Sequence, residues 1–476
     1  MILELFGKKY LGLTLTILLL SGLDTLDDFL VATAMPTVLE HLGGIGWYGW
    51  TIGAFGLASF ATIPLFSGLM GRWGLRKTLL LAVLLFMAGS AAAALAPKMK
   101  LLVAGRVLQG LGMGGFAALP YAIISDYFPK ESRSKALGLI SVVFVLAGVV
   151  GPPLAAWLLE RTSWPWVFWI NLPLGVSALL ILFPALRRVP PSAAKAERLD
   201  LLGPFLFAVA TGFSLKAFTS EWSWNLLQWG VSLAAALAFV YHERRHPNPV
   251  LPSDAWRLAK PLGAAFFGMI LIMAAYSGAK IYLPLVLEGV WGIGTLGAGF
   301  ILTLGSLTWD GGSILVSAAK QSPKHLAERG TLATAGTLTL ILATLWIQGP
   351  VWLVYLSWGL AGLGIGVTIT IYNMVALEVA EDYPGGVAAA TLQLAMTLGT
   401  AAGAAAANGI AQVGFAKGFD PSQLAAGALS GTSLRALILG GSLAKGFGLA
   451  CAVLSFWVAW RRLSLRLKVE AEPRNP

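Results

Sequence analysis

The chain has 476 residues, 57% of them hydrophobic and only 12% charged, with one cysteine, four histidines and a formal net charge of +11. A soluble chain of this length carries about 25% charged residues and divides into several domains, and one cysteine excludes an internal disulfide. An excess of positive charge would suggest nucleic acid in a soluble chain, but in a bilayer-spanning one it falls on basic loops that face anionic lipid.

Apolar runs of membrane length follow one another almost without pause. A window of about 19 residues, bounded by Pro, Gly and charged clusters, predicts fourteen helices near 10–36, 46–67, 78–96, 101–124, 136–159, 165–186, 201–219, 224–242, 262–287, 295–318, 330–347, 350–378, 385–411 and 436–460. The opening MILELFGKKY puts two lysines ahead of an apolar run, as a secretory signal does. The run is too long, carries carboxylates and lacks a small-residue cleavage site, so it reads as a retained first span.

That first span holds Asp24, Asp27 and Asp28 within TLTILLLSGLDTLDDFLVATAMP. Three carboxylates at the bilayer centre cost roughly 8–10 kcal/mol, and the apolar residues around them return about 4–8. The segment therefore barely inserts alone. With successive residues turned by about 100°, all three are expected on one face, toward other helices or water. Intramembrane carboxylates of this kind are candidates for proton or cation coupling.

The turn SGLMGRWGLRK (67–77) follows the second span, and GRVLQGLGMGGFAALP (105–120) lies on the fourth. Arg106, permanently charged, needs a counter-charge, which the aspartates can supply as a static pair or as one that exchanges with protonation. Gln109, one turn on, is a candidate polar contact for substrate. The fifth span carries Gly148, Gly151 and Pro152, where Pro removes a backbone hydrogen bond and is expected to bend the helix. The sixth opens with WPWVFWINLPLG (164–175). Two basic, proline-rich linkers, 187–200 and 243–261, bracket only two spans, so the chain divides as six, two and six: 1–186, 187–261 and 262–476. Two six-helix halves imply a transporter with its site at the midplane between them.

In the second half, Asp310 is the deep carboxylate and Lys280 its expected partner. Lys216 and Lys445 are expected to snorkel to the interface. Tyr372 belongs to a set of midspan aromatics and methionines, with Phe144, Tyr276, Trp309 and Met396, that suits a greasy pocket. Asn373 and Gln393 are its polar candidates. Glycines 110, 112, 114 and 115, and 359, 362, 364 and 366, are read as packing devices. They lie in apolar spans with no preceding strand, unlike a phosphate-binding loop. Gly440–Gly441 is a point where the last span is expected to break. With the N-terminus inside, roughly 24 of the 33 Lys and Arg fall on cytoplasmic segments, so both termini are expected in the cytoplasm.

Several of these patterns resemble the 14-helix drug:proton antiporters of the major facilitator superfamily, the EmrB/QacA-type branch. Leu26-Asp27 through Val31 to Ala34-Met35-Pro36 is similar to that branch's first-helix pattern, with Phe29 and Ala32 in place of its Thr and Asn. Residues 67–77 resemble its loop between helices 2 and 3. Arg106, Gln109, Gly110 and Gly112 match its fourth-helix motif, Gly148 to Pro152 its antiporter motif, and 164–175 the run opening helix 6. Gly71 stands where the loop has Asp, Ala155-Ala156 where the antiporter motif has Gly-Gly, and Pro165 where helix 6 has Arg. The resemblance implies an all-α integral membrane protein of two six-helix bundles plus two central helices in the cytoplasmic (inner) membrane. It implies proton-coupled export of hydrophobic or amphipathic compounds, cationic ones included, with Asp27, Asp24, Asp28 and Arg106 in coupling. Arg72, Gly74, Arg76 and Asp126 would serve the conformational cycle, Arg72 pairing with Asp126 in the absence of the loop Asp, and Gly148, Gly151 and Pro152 would seal the two halves. Expected partners are a small-molecule substrate, protons and membrane lipid, with no nucleic acid and no cofactor. The chain is expected as a monomer, with an accessory export protein left open. A same-fold carrier of a metabolite, lipid or siderophore, and a transport-inactive receptor or scaffold, remain alternatives. The lack of His/Cys metal spacing and of a nucleotide-binding loop argues against an enzyme and against ATP as the energy source.

Overall fold

The computed structural model describes residues 3–7, 10–186, 202–217, 222–245, 251–318, 322–379, 387–424, 429 and 431–462. The first linker, 187–200, lies outside these residues, as do part of the second, Lys320 and the tail beyond Arg462. The Lys216 side chain is also outside the description. The described fold is all-helical: α1 (Leu11–Leu42), α2 (Trp50–Trp73), α3 (Leu75–Ala94), α4 (Met99–Tyr127), α5 (Lys130–Arg161), α6 (Trp166–Trp169), α7 (Asn171–Ala185), α8 (Leu202–Ala217), α9 (Trp222–Arg245), α10 (Pro261–Lys280), α11 (Leu283–Trp291), α12 (Thr295–Ala318), α13 (Pro323–Trp346), α14 (Val351–Glu378), α15 (Val387–Phe415) and α16 (Gly431–Arg462). Thirteen of these are 16 residues or longer.

Prolines account for two of the departures from the expected spans. Pro173 cannot donate to the Trp169 carbonyl, and the run expected as one helix over 165–186 becomes α6 and α7. Pro284 likewise leaves the Lys280 carbonyl without its donor, and the chain turns through Ile281 and Tyr282 between α10 and α11. Elsewhere proline is carried inside a helix: α1 runs six residues past Pro36, and α5 keeps both Pro152 and Pro153. Gly440–Gly441 does not break α16. Those glycines are there because of crowding: a Cβ on Gly440 would collide with the Phe415 ring of α15.

The same logic holds for the glycine runs. A Cβ on Gly112 would collide with the backbone of α3 at Ala82 and Phe86, and one on Gly114 with α2 at Thr62 and Ser59. Gly362 and Gly366 bring α14 against the α12 backbone at Gly305 and Trp309 in the same way. Small residues thus let helices pack backbone to backbone. Gly74 has a different task. Its φ of 76° sits in the left-handed region, where a side chain is strained, and it turns α2 directly into α3.

Packing falls into two groups. In the first, α4 packs on α2 and α3, α1 on α5 and α4, and α7 on α1 and α3. In the second, α14 packs on α12 and α13, α10 on α15 and α16, and α16 on α13 and α15. Two pairs make most of the junction between them, α2 with α15 and α5 with α12, and α1 also touches α11 and α12. The second span of each group therefore meets the fifth of the other, the relation a twofold axis produces. α8 and α9 pack on each other, and α8 leans on α2 and α15 across one of these joints. A chain of ring contacts, Phe60–Phe207–Phe239–Trp256–Phe266, ties them to α2 and α10 at centroid distances of 4.3–6.1 Å.

The joints are tight at one end. A Cβ on Gly53 would lie 2.8 Å from that of Ala405, and one on Gly56 2.8 Å from that of Ala401. The Asn408 Oδ1 accepts from the Gly49 amide at 2.9 Å and from the Tyr282 hydroxyl at 2.5 Å, while its amide donates to the Gly46 carbonyl at 3.1 Å. Gln412 donates to the Ile45 carbonyl at 3.2 Å, and the Tyr48 and Tyr282 rings stack at 5.0 Å. On the other joint Thr303 donates to the Gly148 carbonyl at 2.7 Å, and Gly151 abuts Phe29 of α1. Farther along, Phe60 of α2 has turned to α8.

Candidate functional site

The three aspartates of α1 do not share one task. Successive residues of a helix are turned by about 100°, and neighbours on other helices make that separation count. Asp27 is fully buried within the first bundle. Its Oδ2 accepts from the Arg106 guanidinium at 2.6 Å, and its Oδ1 accepts from the Gln109 amide at 2.8 Å and the Asn171 amide at 2.7 Å. Arg106 also donates to the Gln109 Oε1 at 2.7 Å and to the Thr51 carbonyl at 3.1 Å, and it lies 3.9 Å over the Phe55 ring. Ser90 of α3 closes the cluster, accepting from Gln109 at 3.0 Å and Asn171 at 3.3 Å. Five helices contribute to it. Every group that faces the Asp27 oxygens is a donor, and an ionised carboxylate, which only accepts, satisfies them all.

Gln109 is thus bonded inside this cluster. Expected as a polar contact for substrate, it is here fully buried and bonded to Asp27, Arg106 and Ser90. Asn171 and Ser90 were not anticipated. Asn171 had a signal, a carboxamide inside WPWVFWINLPLG, whereas a serine on an apolar helix carries none. Gly89 makes the cluster possible: a Cβ there would collide with the Gln109 backbone, so α3 and α4 touch where Gln109 must reach Asp27.

Asp28 points out of the bundle. It pairs with Lys280 at the end of α10, with Oδ2 and Nζ 2.6 Å apart, and so links the two groups of helices. This corrects the expected Lys280–Asp310 pair. Asp24 lies one turn back, half-buried, near Tyr121 of α4 and without an ion-pair partner among the described residues. The single acidic face expected of α1 is thus split between a sealed core and the space between bundles.

On α12, Gly299 and Ser306 face α1 and α5 and Thr303 bonds Gly148. Asp310 continues that stripe one turn beyond the joint, half-buried and with no basic partner among the described residues. On α15, Asn408, Ala405 and Ala401 face α2, and Thr397 and Gln393 continue the stripe, both half-buried. Asp310 and Gln393 therefore line the continuation of the two joints. Tyr372 does not: it is buried in the second bundle with its hydroxyl 3.2 Å from Ser455, which in turn donates to the Gly268 carbonyl. Asn373 is exposed, on the α14 face whose Gly366 and Thr370 follow α12. Tyr372 and Asn373, adjacent on α14, thus point to different neighbours, and Tyr372 stands apart from the Gln393 stripe. Lys445, expected at the interface, is buried midway along α16 with no hydrogen-bond partner for its Nζ. Arg72 is exposed at the end of α2 beside the Gly74 turn and Arg76 is half-buried just past it, while Asp126 is exposed at the end of α4.

A family model described as Major Facilitator Superfamily matches residues 17–404. The chain belongs to the major facilitator superfamily. This is a family of transporters, not enzymes, and its members are multi-pass integral membrane proteins that handle small molecules. Multidrug resistance protein 3 of Bacillus subtilis is 30% identical over 306 residues, covering 62% of this chain and 57% of its own length, so the chain spans little more than half of that relative. Multidrug transporter protein MdtP of the same organism is 26% identical over 397 residues, 80% of this chain and 73% of its own. Among solved structures, a bacterial homologue of the human lysosomal transporter Spinster, inward-facing and unoccupied, superposes with a TM-score of 0.67 at 15% identity, over 96% of this chain and 98% of that one. The xylose transporter XylE of E. coli does so at 0.60 and 15%, over 96% and 100%. Such distant likeness concerns the fold alone: the facilitator architecture, with its bundles joined as described above.

Proposed function

We propose that this facilitator exports hydrophobic and amphipathic compounds, cationic ones among them, in exchange for protons, by alternating access in the cytoplasmic membrane with both termini inside. In this reading residues 1–186 and 262–476 form the rocking bundles, 187–261 the two-helix insert, and the chain is a 14-helix drug:proton antiporter acting as a monomer. The observation that carries it is the Asp27 cluster. A facilitator moving a neutral solute downhill has no need of a carboxylate–guanidinium pair fully inside one bundle, next in sequence to the aspartate that bridges to the other. The names of two Bacillus relatives, both multidrug proteins, support the substrate class.

The mechanism follows from the geometry. With Asp27 ionised, its donors draw α1, α3, α4 and α7 together. A proton on Asp27 removes the charge that holds Arg106 and turns an acceptor into a donor, so the cluster must re-form and α1 shifts with it. Because α1 also carries Asp28, the shift reaches the bundle interface. The Asn408 network and the Gly148–Thr303 contact close the outer side, and the Gly74 turn, with Arg72, Arg76 and Asp126, serves the cytoplasmic side. Asp310 and Gln393 line the solute path between. Transport by purified protein in liposomes, with an imposed pH gradient and a panel of cationic, neutral and acidic dyes, tests this. Uphill accumulation of at least one class, abolished by a protonophore, is expected, and gradient-independent or absent movement of all of them refutes it.

A further inference from the structure

The Asp28–Lys280 bridge is built unevenly. The Asp28 side chain is 43% exposed to the space between the bundles, whereas Lys280 is 10% exposed. An arriving solute therefore meets the carboxylate first. Lys280 lies behind it, its Nζ 5.4 Å from the Phe29 ring centre and 5.6 Å from that of Tyr276. Tyr276 in turn stacks on Trp358 at 5.4 Å and meets Trp309 edge-on at 5.3 Å, which sets an aromatic wall beside the bridge. Among the described residues, the charged and titratable groups acting on Lys280 are Asp28 of α1 and Tyr276 of its own helix. The other helices packed on α10 present none to it.

Resting on the export reading above, we propose that this bridge is an exchange site, where a lipophilic organic cation takes Lys280's place on Asp28 and Lys280 releases its proton. Aromatic faces attract a cation; Phe29 and Tyr276 are buried against Lys280, so the half-buried Trp309 is the ring that holds the body of the solute while its charge sits on Asp28. Lys280, stripped of its carboxylate in a site with little access to water, is left with ring faces alone, and burial then disfavours the ammonium. The charges balance. Carboxylate and ammonium sum to zero before binding; carboxylate, bound cation and neutral amine sum to zero after it, with one proton passed to water. Each cation that enters thus expels a proton through a lysine, separately from the Asp27 cluster, and an uncharged solute leaves the bridge intact.

Titration calorimetry of the full chain with tetraphenylphosphonium, in two buffers of different ionisation enthalpy, reads both affinity and protons released. About one proton per cation is expected for the wild type. Lys280→Gln should bind at least as tightly and release none. Lys280→Arg, whose charge cannot be lost, should weaken binding tenfold or more, as should Asp28→Asn, and Asp28→Glu should restore it. Proton release that persists in Lys280→Gln, unchanged affinity in Asp28→Asn, or no binding to the wild type overturns the exchange. If the pH gradient still drives export of neutral or acidic dyes, the export reading stands when the exchange falls. If no dye of any class moves uphill, it is the export reading that has failed.

Discussion

Asp27→Asn is the most informative single change. The side chain keeps its shape, but one of its two terminal atoms becomes a donor. At the Oδ2 position that donor would face the Arg106 guanidinium, now 2.6 Å from the oxygen it replaces. At the Oδ1 position it would face the amides of Gln109 and Asn171. Asn171 could turn to offer its unbonded Oδ1, but Gln109 would still present a donor, and turning it would take its oxygen from Arg106, so no flip satisfies every group. Arg106, 1% exposed, would be left as a buried cation without its counter-charge, and removing one partner of such a pair costs about 3–5 kcal/mol. We expect a clear drop in thermal stability, with dye binding retained and uphill transport in liposomes lost across pH 6–8. Arg106→Ala should also fail to pump. The double change Asp27→Asn with Arg106→Gln should be more stable than Asp27→Asn alone, because no unpaired charge stays buried. If Asp27→Asn is as stable as the wild type and transports uphill at the wild-type rate, the cluster has neither the energetic nor the coupling role assigned to it, and Asp310 becomes the leading carboxylate.

Asn408→Ala strips a partner from both the Gly49 amide and the Tyr282 hydroxyl. At about 1–3 kcal/mol for each buried group left unsatisfied, the closed α2–α15 joint should lose at least tenfold in population, readable as a longer distance between spin labels on α2 and α15; an unchanged distance distribution refutes this. Gly89→Val should destabilise the first bundle more than Gly138→Val, since a Cβ at 89 collides with Gln109 whereas nothing lies within 4 Å of one at 138; equal melting temperatures would count against the account. Gln393→Ala should alter which dyes are exported, with Tyr372→Phe leaving the profile unchanged, because only the first lines the joint; the reverse outcome moves the solute path into the second bundle. A cysteine at Lys98 should react with an impermeant reagent from outside, and one at Lys195 should not. Native Cys451 is buried and should stay silent; the opposite labelling inverts the orientation.

Much of the architecture was legible because a bilayer imposes length and polarity on every span. Asp27, Arg106 and Gln109 stood out for the same reason: polar groups are costly there, so each must have a use. Their division of labour was not legible. A helical wheel places Asp27 and Asp28 on one broad face, but which neighbour each meets depends on packing by residues far off in the chain, such as Ser90, Asn171 and Lys280. Pairing Lys280 with Asp310 was a reasonable expectation from adjacent spans. It failed because the Lys280 side chain, at the end of α10, reaches Asp28 and the Phe29 ring of α1 instead. The break in the last span failed for a complementary reason: glycine weakens an isolated helix, but at Gly440 the missing side chain is what lets α15 and α16 meet.

In the hydrogen bonds at the α2–α15 joint and its counterpart between α5 and α12, the second half supplies side chains, those of Asn408, Gln412 and Thr303, whereas the first half supplies main-chain atoms of Ile45, Gly46, Gly49 and Gly148. Main-chain atoms are the same whatever residue bears them. The first half is held instead to glycine at 49, 53 and 56, where a Cβ would lie 2.1–2.8 Å from the Cβ atoms of Asn408, Ala405 and Ala401, and the second half is held to its amides and hydroxyl. A chimera that takes its first six spans from a distant relative should keep the closure where glycines stand at 49, 53 and 56, while one that takes the last six should lose it unless the amides and the hydroxyl come too.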